Sequence, residues 1–250
     1  TSSWKELPDA ILLAWQAGQE GGNSVADILT GKVAPSGKLT MTFPVNYTDV
    51  ASSANFPSDY NPDMKTILES MMGNAPKHDT VKNVDYTNYE EGIYVGYRYF
   101  DTFGKSVSYP FGYGLSYTNF AFSNASLKEN KGKYIVSVTI KNTGKVAGKE
   151  VAELYISAPK SKELEKPNKE LKAFAKTRLL QPGEAQTLTM TLSLKDLASF
   201  NDKLSEWVAD AGVYTILIGS SSVDIKQHLQ LKIANKTITE KVHDVMKPIE

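Results

Sequence analysis

Carboxylates are the residues of this sequence best placed to do chemistry, because a positioned Asp or Glu can act as general acid, general base or nucleophile. Glu20 follows a short apolar run and precedes a helical pattern. Ligands collect at this position in open α/β sheets, at the carboxyl ends of parallel strands. A carboxylate there also interacts favourably with the free backbone N–H groups that begin a helix. We interpret Glu20 as a helix-capping residue rather than a catalytic one.

Other residue types that support catalysis or ligand binding do not form a recognisable pattern. The sequence has no cysteine, which excludes a disulfide framework and thiolate metal sites. Its three histidines, His78, His228 and His243, are far apart and lack the spacing of metal ligands. The glycines of residues 18–22 are not followed by Lys-Ser or Lys-Thr, so they do not make a phosphate-binding loop. We therefore expect neither a metal nor a cofactor.

Composition indicates a soluble globular protein without nucleic-acid or membrane partners. The 250 residues include 28 Lys plus Arg and 28 Asp plus Glu, so no net field attracts a polyanion. No apolar run approaches the roughly 20 residues that span a bilayer. The length allows one large domain or two ordinary ones. The sequence begins at Thr1 without a signal peptide or initiator methionine, which fits a processed or excised chain.

The first forty-four residues follow a strand–helix–strand pattern. Residues 9–15 are predicted as a strand that is apolar on both faces, with Trp15 in the core. A helix is predicted from a cap at Asn23 to a stop at Gly31, and a second strand over residues 39–43. Strands buried on both faces belong to parallel sheets covered by helices. We therefore expect a partial parallel sheet whose earlier strands precede Thr1.

Residues 46–117 have no regular period apart from a short amphipathic stretch at 64–72. Loops of this length are uncommon unless they are functional, disordered or wrapped over another surface. Several aromatic residues in this stretch argue against disorder, because large rings require packing partners. We interpret it as a crossover that lies on a neighbouring domain.

After Thr118 the sequence predicts seven short strands that alternate apolar and polar residues. Turn signals such as Pro182-Gly183 separate them. This spacing is typical of a fibronectin type III or immunoglobulin-like sandwich. The predicted strands are residues 121–126, 134–141, 150–157, 171–178, 186–192, 212–219 and 228–233.

An ordered set of short motifs resembles glycoside hydrolase family 3. AWQAGQEGG at residues 14–22 and PSGKL at 35–39 are similar to the end of the second domain of that family. EGIYVGYRYFD at 91–101 and YPFGYGLSY at 109–117 resemble its lead into the third domain. KNTG at 141–144, KELKAF at 169–174 and blocks at 148–155, 180–183 and 218–222 resemble its fibronectin III-like domain. Gln16-Ala17 departs from the Tyr-Pro that is common there.

The resemblance implies the architecture and activity of the whole family. Complete members have an N-terminal barrel, an α/β sandwich domain and then the β-sandwich. They hydrolyse β-linked glucosides, xylosides and related sugars with retention of configuration, and they need no cofactor. Retention requires two carboxyl groups about 5–5.5 Å apart.

The resemblance also implies that both catalytic carboxylates lie upstream of Thr1. In the family the nucleophile is a barrel aspartate within Ser-Asp-Trp or a variant, and the acid/base is a glutamate from the earlier part of the sandwich domain. The local match Ser58-Asp59-Tyr60 lies between two Pro-containing pairs in the irregular connection. We interpret Asp59 as an exposed turn residue.

Side chains beside the tyrosine-rich stretch, which is predicted as a strand, could approach a sugar. We instead interpret Glu90 and Glu91 as forming an ion pair with Arg98 or a bond to a backbone amide, and Arg98 with Asp101 as an interface pair. Rings that alternate along a strand face two surfaces, so we interpret them as packing rather than as sugar-stacking groups. These rings are Tyr94, Tyr97, Tyr99 and Phe100.

The sequence thus predicts an α/β fragment with part of a parallel sheet at residues 1–118, an all-β fibronectin III-like sandwich at 119–240 and a tail at 241–250. We expect a structural part of a retaining β-glucosidase, with no catalytic or metal-binding residue of its own. Its substrate-binding residues are unknown. Its expected partners are the N-terminal barrel and sandwich segment, through which a β-glucoside or oligosaccharide would bind. The alternatives are a β-xylosidase, or a non-catalytic carbohydrate-binding or interaction module. The resemblance implies an exported location, periplasmic or extracellular.

Overall fold

The computed structural model describes residues 2–54, 64–73 and 89–243. Three α-helices occur in this part of the chain: α1 (Gly21–Leu29), α2 (Met64–Met71) and α3 (Tyr97–Thr102). Among the described residues no helix is long and apolar enough to cross a membrane. All strand pairs described below are antiparallel.

A two-layer sandwich forms the C-terminal part of the fold and confirms the seven predicted strands. The seven strands are β3 (Phe120–Asn130), β4 (Lys133–Asn142), β5 (Val151–Ser157), β6 (Glu170–Lys176), β7 (Ala185–Ser193), β10 (Gly212–Gly219) and β11 (Ile225–Ile233). One layer holds the strands in the order β3-β4-β7, and the other in the order β11-β10-β5-β6. The pairs β4–β7 and β5–β10 join distant parts of the sequence, so long-range pairing holds each layer together.

Alternating apolar side chains fill the space between the two layers. On β4 these are Tyr134, Val136, Val138 and Ile140, while the residues between them, Ile135, Ser137 and Thr139, face out. Residues two apart along a strand point to the same face, so the period-2 pattern decides which side is buried. The same rule places side chains from β7 and β10 in the core, namely Leu188, Met190, Leu192, Tyr214, Ile216 and Ile218.

A third small sheet packs beside the sandwich and was not predicted. It contains β8 (Ser199–Asn201), β9 (Glu206–Ala209) and β12 (Thr237–Lys241) in the order β12-β9-β8. Its strands have three to five residues, too short to show a period in the sequence. The predicted tail at 241–250 begins at the last residue of β12, and residues 244–250 lie outside the described part.

The first forty-four residues differ from their predicted strand–helix–strand pattern. Helix α1 is present, but its N-cap is Glu20 rather than Asn23. The strand predicted at residues 9–15 does not form, because no neighbouring strand among the described residues pairs with it. Trp15 is therefore not a core residue; it is 55% exposed and has a positive φ of 48°.

The second predicted strand is shifted and pairs differently from our expectation. Strand β1 (Phe43–Pro44) replaces the strand predicted at residues 39–43, and it pairs with β2 (Val107–Tyr109). The described residues therefore hold an antiparallel pair here in place of the expected parallel one. Since β2 comes from the end of the long connection, this pair ties that connection back to the N-terminal segment.

The tyrosine-rich stretch predicted as a strand contains the short helix α3. Gly96 precedes it with a positive φ of 57°, which turns the chain and lets a helix start at Tyr97. Phe100 is the buried residue of this helix. The prediction failed because aromatic side chains favour strands in general, whereas the glycine turn and tertiary packing decide here. The amphipathic stretch predicted at residues 64–72 is confirmed as α2.

Asn142 is a fully buried polar residue at the end of β4, and all its bonds are local to one corner of the sandwich. Its Oδ1 accepts hydrogen bonds from the Thr118 hydroxyl (2.6 Å) and the Gly144 N–H (3.0 Å). Its Nδ2 donates to the carbonyls of Val146 (2.8 Å) and Leu180 (2.9 Å). One side chain thus joins the strand to three neighbouring loops.

We predict that Asn142→Ala lowers the free energy of unfolding by about 3 kcal/mol, because it leaves several buried groups without partners. Urea unfolding measures this. Thr189→Ala is the matched control, since it removes a hydroxyl that bonds Ser137 on the exposed face (3.1 Å) and should cost about 0.5 kcal/mol. Equal losses in the two variants would contradict the role given to Asn142.

Candidate functional site

We call the described residues before β3 the N-terminal segment. This segment packs on the outer face of the four-stranded sheet, and we call this contact the joint. Tyr155 of β5 points outward to the ring of Tyr97, with centroids 5.7 Å apart in an edge-to-face arrangement. Tyr97 also packs on Phe111, with centroids 4.9 Å apart. The Tyr97 hydroxyl accepts a hydrogen bond from the Leu171 N–H on β6 (2.7 Å). The edge-to-face and tilted contacts are the ring geometries that aromatic pairs prefer.

Hydrogen bonds extend the joint beyond the aromatic cluster. The Ser222 N–H, after β10, donates to the Phe111 carbonyl (2.9 Å). The Lys176 ammonium of β6 donates to the Ser36 carbonyl (2.8 Å). The Asn168 N–H donates to the Thr102 hydroxyl at the end of α3 (2.9 Å). Three separate parts of the N-terminal segment are therefore tied to the sandwich.

Two ion pairs at the joint connect residues that we did not expect to interact. Arg98 binds Glu170 (3.2 Å) and Asp101 binds Lys169 (2.8 Å). The predicted pairs of Arg98 with Glu90, Glu91 or Asp101 are not formed. Positions three apart on a helix face the same side, so Arg98 and Asp101 both face the residues next to and within β6. Arg98 and Asp101 are therefore interface residues, but each pairs with a different residue from the one expected.

A third ion pair, between Lys38 and Glu150 (2.9 Å), is shielded from solvent because both side chains are largely buried. Glu150 also accepts a bond from the Val151 N–H through the same Oε1 (2.8 Å). Removing one partner of such a pair would leave an uncompensated charge in a poorly solvated place. This ion pair thus ties the turn at residues 35–38 to the residue that precedes β5.

Glu153 is the unusual titratable group of the joint, and our sequence reasoning missed it. It is only 4% exposed, and the Tyr155 hydroxyl donates to its Oε2 (2.5 Å). Burial raises the pKa of Glu153 to about 7, against opposing effects of the Tyr155 hydrogen bond and the Lys38 charge. Burial likewise raises the pKa of Tyr155. The signal in the sequence is a glutamate inside the otherwise buried strand VAELYIS.

Gly112 allows the backbone of the N-terminal segment to approach Glu153 closely. Its φ is +80°, and a Cβ at this position would overlap the Glu153 carboxylate. The Gly112 N–H donates to the Leu39 carbonyl (2.8 Å), which fixes the loop against the residue that follows the turn at 35–38. Both the backbone conformation and the available space therefore require glycine here.

The other residues considered as catalytic or metal-binding are dispersed. Glu20 is the N-cap residue of α1, but its carboxylate accepts from Asn23 Nδ2 (2.6 Å) rather than from a backbone N–H. His228 lies on β11 and His243 lies beyond β12. Asp59 and His78 lie outside the described residues. Within the described ranges no group of three or more His, Cys, Asp or Glu could hold a metal ion.

The aromatic residues around α3 contact one another instead of presenting open faces. Tyr94 packs on Phe103 (5.0 Å between centroids), and Tyr99 packs on Phe100 (5.4 Å) and on Phe103 (5.2 Å). Edge-to-face and tilted arrangements of this kind are typical of packing clusters. This geometry agrees with the interpretation of these rings as packing residues.

The first stretch of the N-terminal segment, residues 2–53, has no core of its own. No residue from 2 to 53 is buried, whereas the buried apolar residues of the described part begin at Phe100. Monomeric proteins rarely leave so many large apolar side chains open to water. The exposed ones between residues 2 and 53 are Trp4, Leu7, Ile11, Leu12, Leu13, Trp15, Leu29, Val33, Met41, Val45 and Tyr47.

Comparison with known proteins accounts for both parts of the chain. Residues 1–97 match the glycosyl hydrolase family 3 C-terminal domain, and residues 150–222 match the fibronectin type III-like domain. Both matches fall in the order that family 3 enzymes show. The chain belongs to glycoside hydrolase family 3.

Relatives of this family 3 chain cover it almost completely. Beta-glucosidase A of Butyrivibrio fibrisolvens is 39% identical over 99% of the chain and 30% of its own length. The glucose complex of Thermotoga neapolitana beta-glucosidase 3B has a TM-score of 0.81 and 45% identity, covering 95% of this chain and 30% of that one. An exo-alpha-(1->6)-L-arabinopyranosidase of Bifidobacterium breve is 34% identical over 90% of the chain and 26% of its own length.

These coverages show how the family 3 chain relates to complete enzymes. The chain spans 26–30% of the length of these three relatives. It corresponds to their C-terminal part, an α/β portion followed by a β-sandwich. The joint described above therefore lies between two domains of the family.

We predict that Glu153→Gln removes a pH dependence from the stability of the family 3 chain. Since the folded pKa of about 7 lies above the unfolded value of 4.5, protonated Glu153 supports the fold at low pH. That contribution is lost as pH rises from about 4.5 to about 7, and amounts to about 3 kcal/mol at most.

Urea unfolding of both proteins from pH 4.5 to 8.5 measures this difference. Glutamine keeps an acceptor for the Tyr155 hydroxyl, so the two proteins should match near pH 4.5 and the variant should be more stable above pH 7. A constant difference at all pH values would contradict the titration of Glu153 at the joint.

We predict that Gly112→Ala destabilises the joint by about 3 kcal/mol or more, because the methyl group overlaps the Glu153 carboxylate and φ is positive. Gly183→Ala is the control, with φ +82° and open space around the site. It should cost about 1–2 kcal/mol from φ alone. Thermal unfolding compares them, and equal costs would show that contact with Glu153 is unimportant.

Proposed function

We propose that this chain is the structural C-terminal part of a retaining β-glucosidase that hydrolyses terminal β-linked glucose. The observation that carries the proposal is the stretch of residues 2–53, which has no buried residue and needs further protein to cover it, attached to a sandwich with its own core. Family 3 membership and the names of the Butyrivibrio and Thermotoga relatives support the activity. In this proposal both catalytic carboxylates come from the preceding region of the enzyme.

The chain acts as a scaffold in this proposal. The exposed apolar residues of the segment pack against the preceding half of the α/β domain and the barrel. The joint then fixes the orientation of the sandwich relative to the α/β domain and the barrel. Burial of apolar side chains supplies the driving force, at roughly 25 cal/mol for each Å² removed from water.

The sugar specificity of the enzyme does not follow from this scaffold role. The Bifidobacterium breve relative carries the name of an arabinopyranosidase, yet its matching region is 34% identical to this chain. A shared C-terminal part is therefore compatible with different substrates, and β-xylosidase remains the alternative within the family. We also propose export to the periplasm or the outside of the cell, and this part of the proposal rests on the family resemblance alone.

A nitrophenyl β-glucoside assay tests the proposal. The 250-residue chain alone should show no turnover, and the chain joined to the preceding region should be active. Glu20→Gln and Asp59→Asn should leave the joined enzyme within about threefold of its original activity, because the proposal gives neither residue a catalytic role. Turnover by the isolated chain would contradict the absence of catalytic carboxylates.

A polysaccharide pull-down separates this proposal from a dedicated binding module. The isolated chain should not be retained by β-glucans in the proposed scaffold role. Saturable retention, together with no catalytic region preceding the chain in its gene, would favour the binding module. The strongest argument against that module is the segment itself, because a binding domain has no use for a long apolar stretch without a core.

We predict that the isolated chain self-associates or binds a hydrophobic dye, because its N-terminal segment exposes apolar side chains. With a companion chain carrying the preceding domains, or as a cleavage product that remains docked, it should lose this property. Size-exclusion chromatography with dye fluorescence measures both. A monomer without dye binding would contradict the need for a partner.

A further inference from the structure

Phe174 on β6 exposes a large apolar ring on the sheet face that carries the joint. It is 70% exposed, more than any other large apolar residue of the described part after Thr118. Strand β6 is the last strand of its sheet, so no further strand of the described residues pairs with its outer edge. Beside the ring lies an open cleft of about 400 Å³, lined also by Leu171, Lys172 and Ala173. This volume far exceeds the roughly 30 Å³ of a liquid water, so the cleft has room for side chains of a partner.

The position of Phe174 matters more than its exposure, because single exposed apolar residues are common on protein surfaces. The alanines on either side of it pack against the core, so Phe174 points outward, to the face covered by the N-terminal segment. Its cross-strand neighbour is Glu153 of β5, and Cβ atoms of such pairs are about 4.5–5.5 Å apart. The segment buries Glu153 beneath Gly112 but leaves Phe174 open. The cover that the segment provides therefore ends between these two neighbours.

Contacts of the joint lie on both sides of Phe174 along β6. On one side the Leu171 N–H donates to the Tyr97 hydroxyl (2.7 Å). On the other side the Lys176 ammonium donates to the Ser36 carbonyl (2.8 Å). Phe174 thus lies within the outline of the joint, at a point that the segment itself does not cover.

The exposed apolar surface of the segment continues towards this ring. Val33 and Met41 flank the turn at residues 35–38, which contacts β6, and both are exposed. Lys172, a charged neighbour of Phe174 along β6, is already engaged by Glu170 (3.2 Å). The surface next to the joint is therefore apolar, and it runs from the segment onto the sandwich.

We propose that Phe174 is an anchor through which the sandwich binds directly to the region of the enzyme that precedes Thr1. This inference rests on the proposed function, in which that region covers residues 2–53. Since the apolar surface is continuous, the region that covers the segment also reaches the ring, and a second copy of the chain is not required. The partner surface is an apolar pocket without charged groups, because aromatic anchors contribute to binding when they are fully desolvated. The joint and this second contact together fix the sandwich.

Hydroxyl-radical footprinting with mass spectrometry tests the anchor, since it measures the exposure of individual side chains. The isolated chain is compared with the chain joined to the preceding region. Phe174 should be oxidised readily in the isolated chain and about tenfold more slowly in the joined enzyme, as for an exposed ring that becomes buried. Phe200, an exposed ring on β8 outside the joint, is the control and should react equally in both proteins. Trp15 reports separately on the proposed cover of residues 2–53.

Protection of both Trp15 and Phe174 in the joined enzyme would support the anchor. Protection of Trp15 alone would overturn the anchor and leave the proposed function intact, whereas protection of neither would contradict both. Protection of Phe174 in the isolated chain would also overturn the anchor. If that protection increased with protein concentration, the partner would be a second copy; if not, the chain would cover the ring itself.

Phe174→Ala tests whether the contact stabilises the enzyme. The isolated chain should keep its midpoint of thermal unfolding within about 1 °C, because the ring is open to water there, and the joined enzyme should lose about 2 °C or more. Leu204→Ala is the matched control, since Leu204 is 64% exposed and lies between β8 and β9, outside the joint. It should leave both proteins within about 1 °C. Equal shifts of the two variants in the joined enzyme would overturn the anchor.

Discussion

Packing of the N-terminal segment on the outer face of the four-stranded sheet is the contact on which the rest of the structure depends. Residues 2–53 of the segment include no buried residue, so this stretch has no core to hold its conformation. The segment is held by its contacts with the ring of Tyr155, the backbone N–H of Ser222 and the lysines of the sandwich. The sandwich is the stable body, and the segment is the part that reaches towards other domains.

The two halves of the chain follow different physical rules. In the sandwich, period-2 strands bury their own inner faces, and Asn142 satisfies the polar groups at one corner. In the segment, apolar residues such as Ile11 and Trp15 remain open. Their exposure is consistent with a surface made to be covered. The joint itself is polar in part, since Glu153 lies buried where the two halves meet, and its charge state is coupled to their contact.

Sequence reasoning succeeded where the signal was local and failed where it was not. The seven strands of the sandwich and helices α1 and α2 were predictable, because alternation and amphipathic spacing are properties of contiguous residues. Strands β8, β9 and β12 were too short to show a period. Residues 9–15 have the composition of a buried strand, but a strand forms only when a neighbour pairs with it. Helix α3 replaced a predicted strand because the positive φ of Gly96 redirects the chain.

The joint was only partly predictable for the same reason. Arg98 and Asp101 were recognised as interface residues, whereas their partners Glu170 and Lys169 follow them by about seventy residues and were out of reach of pattern reasoning. Glu153 and Gly112 meet only in the folded molecule. The family resemblance gave the order of domains, and the geometry shows which side chains join them.

Hydrogen–deuterium exchange of residues 9–15 tests the central claim most directly, in the isolated chain and in the chain joined to the preceding region. If the segment is completed by that region, these amides should exchange rapidly in the isolated chain and become protected by strand pairing in the joined protein. Equal exchange in the two proteins would contradict the account, because the segment would then need no covering domain.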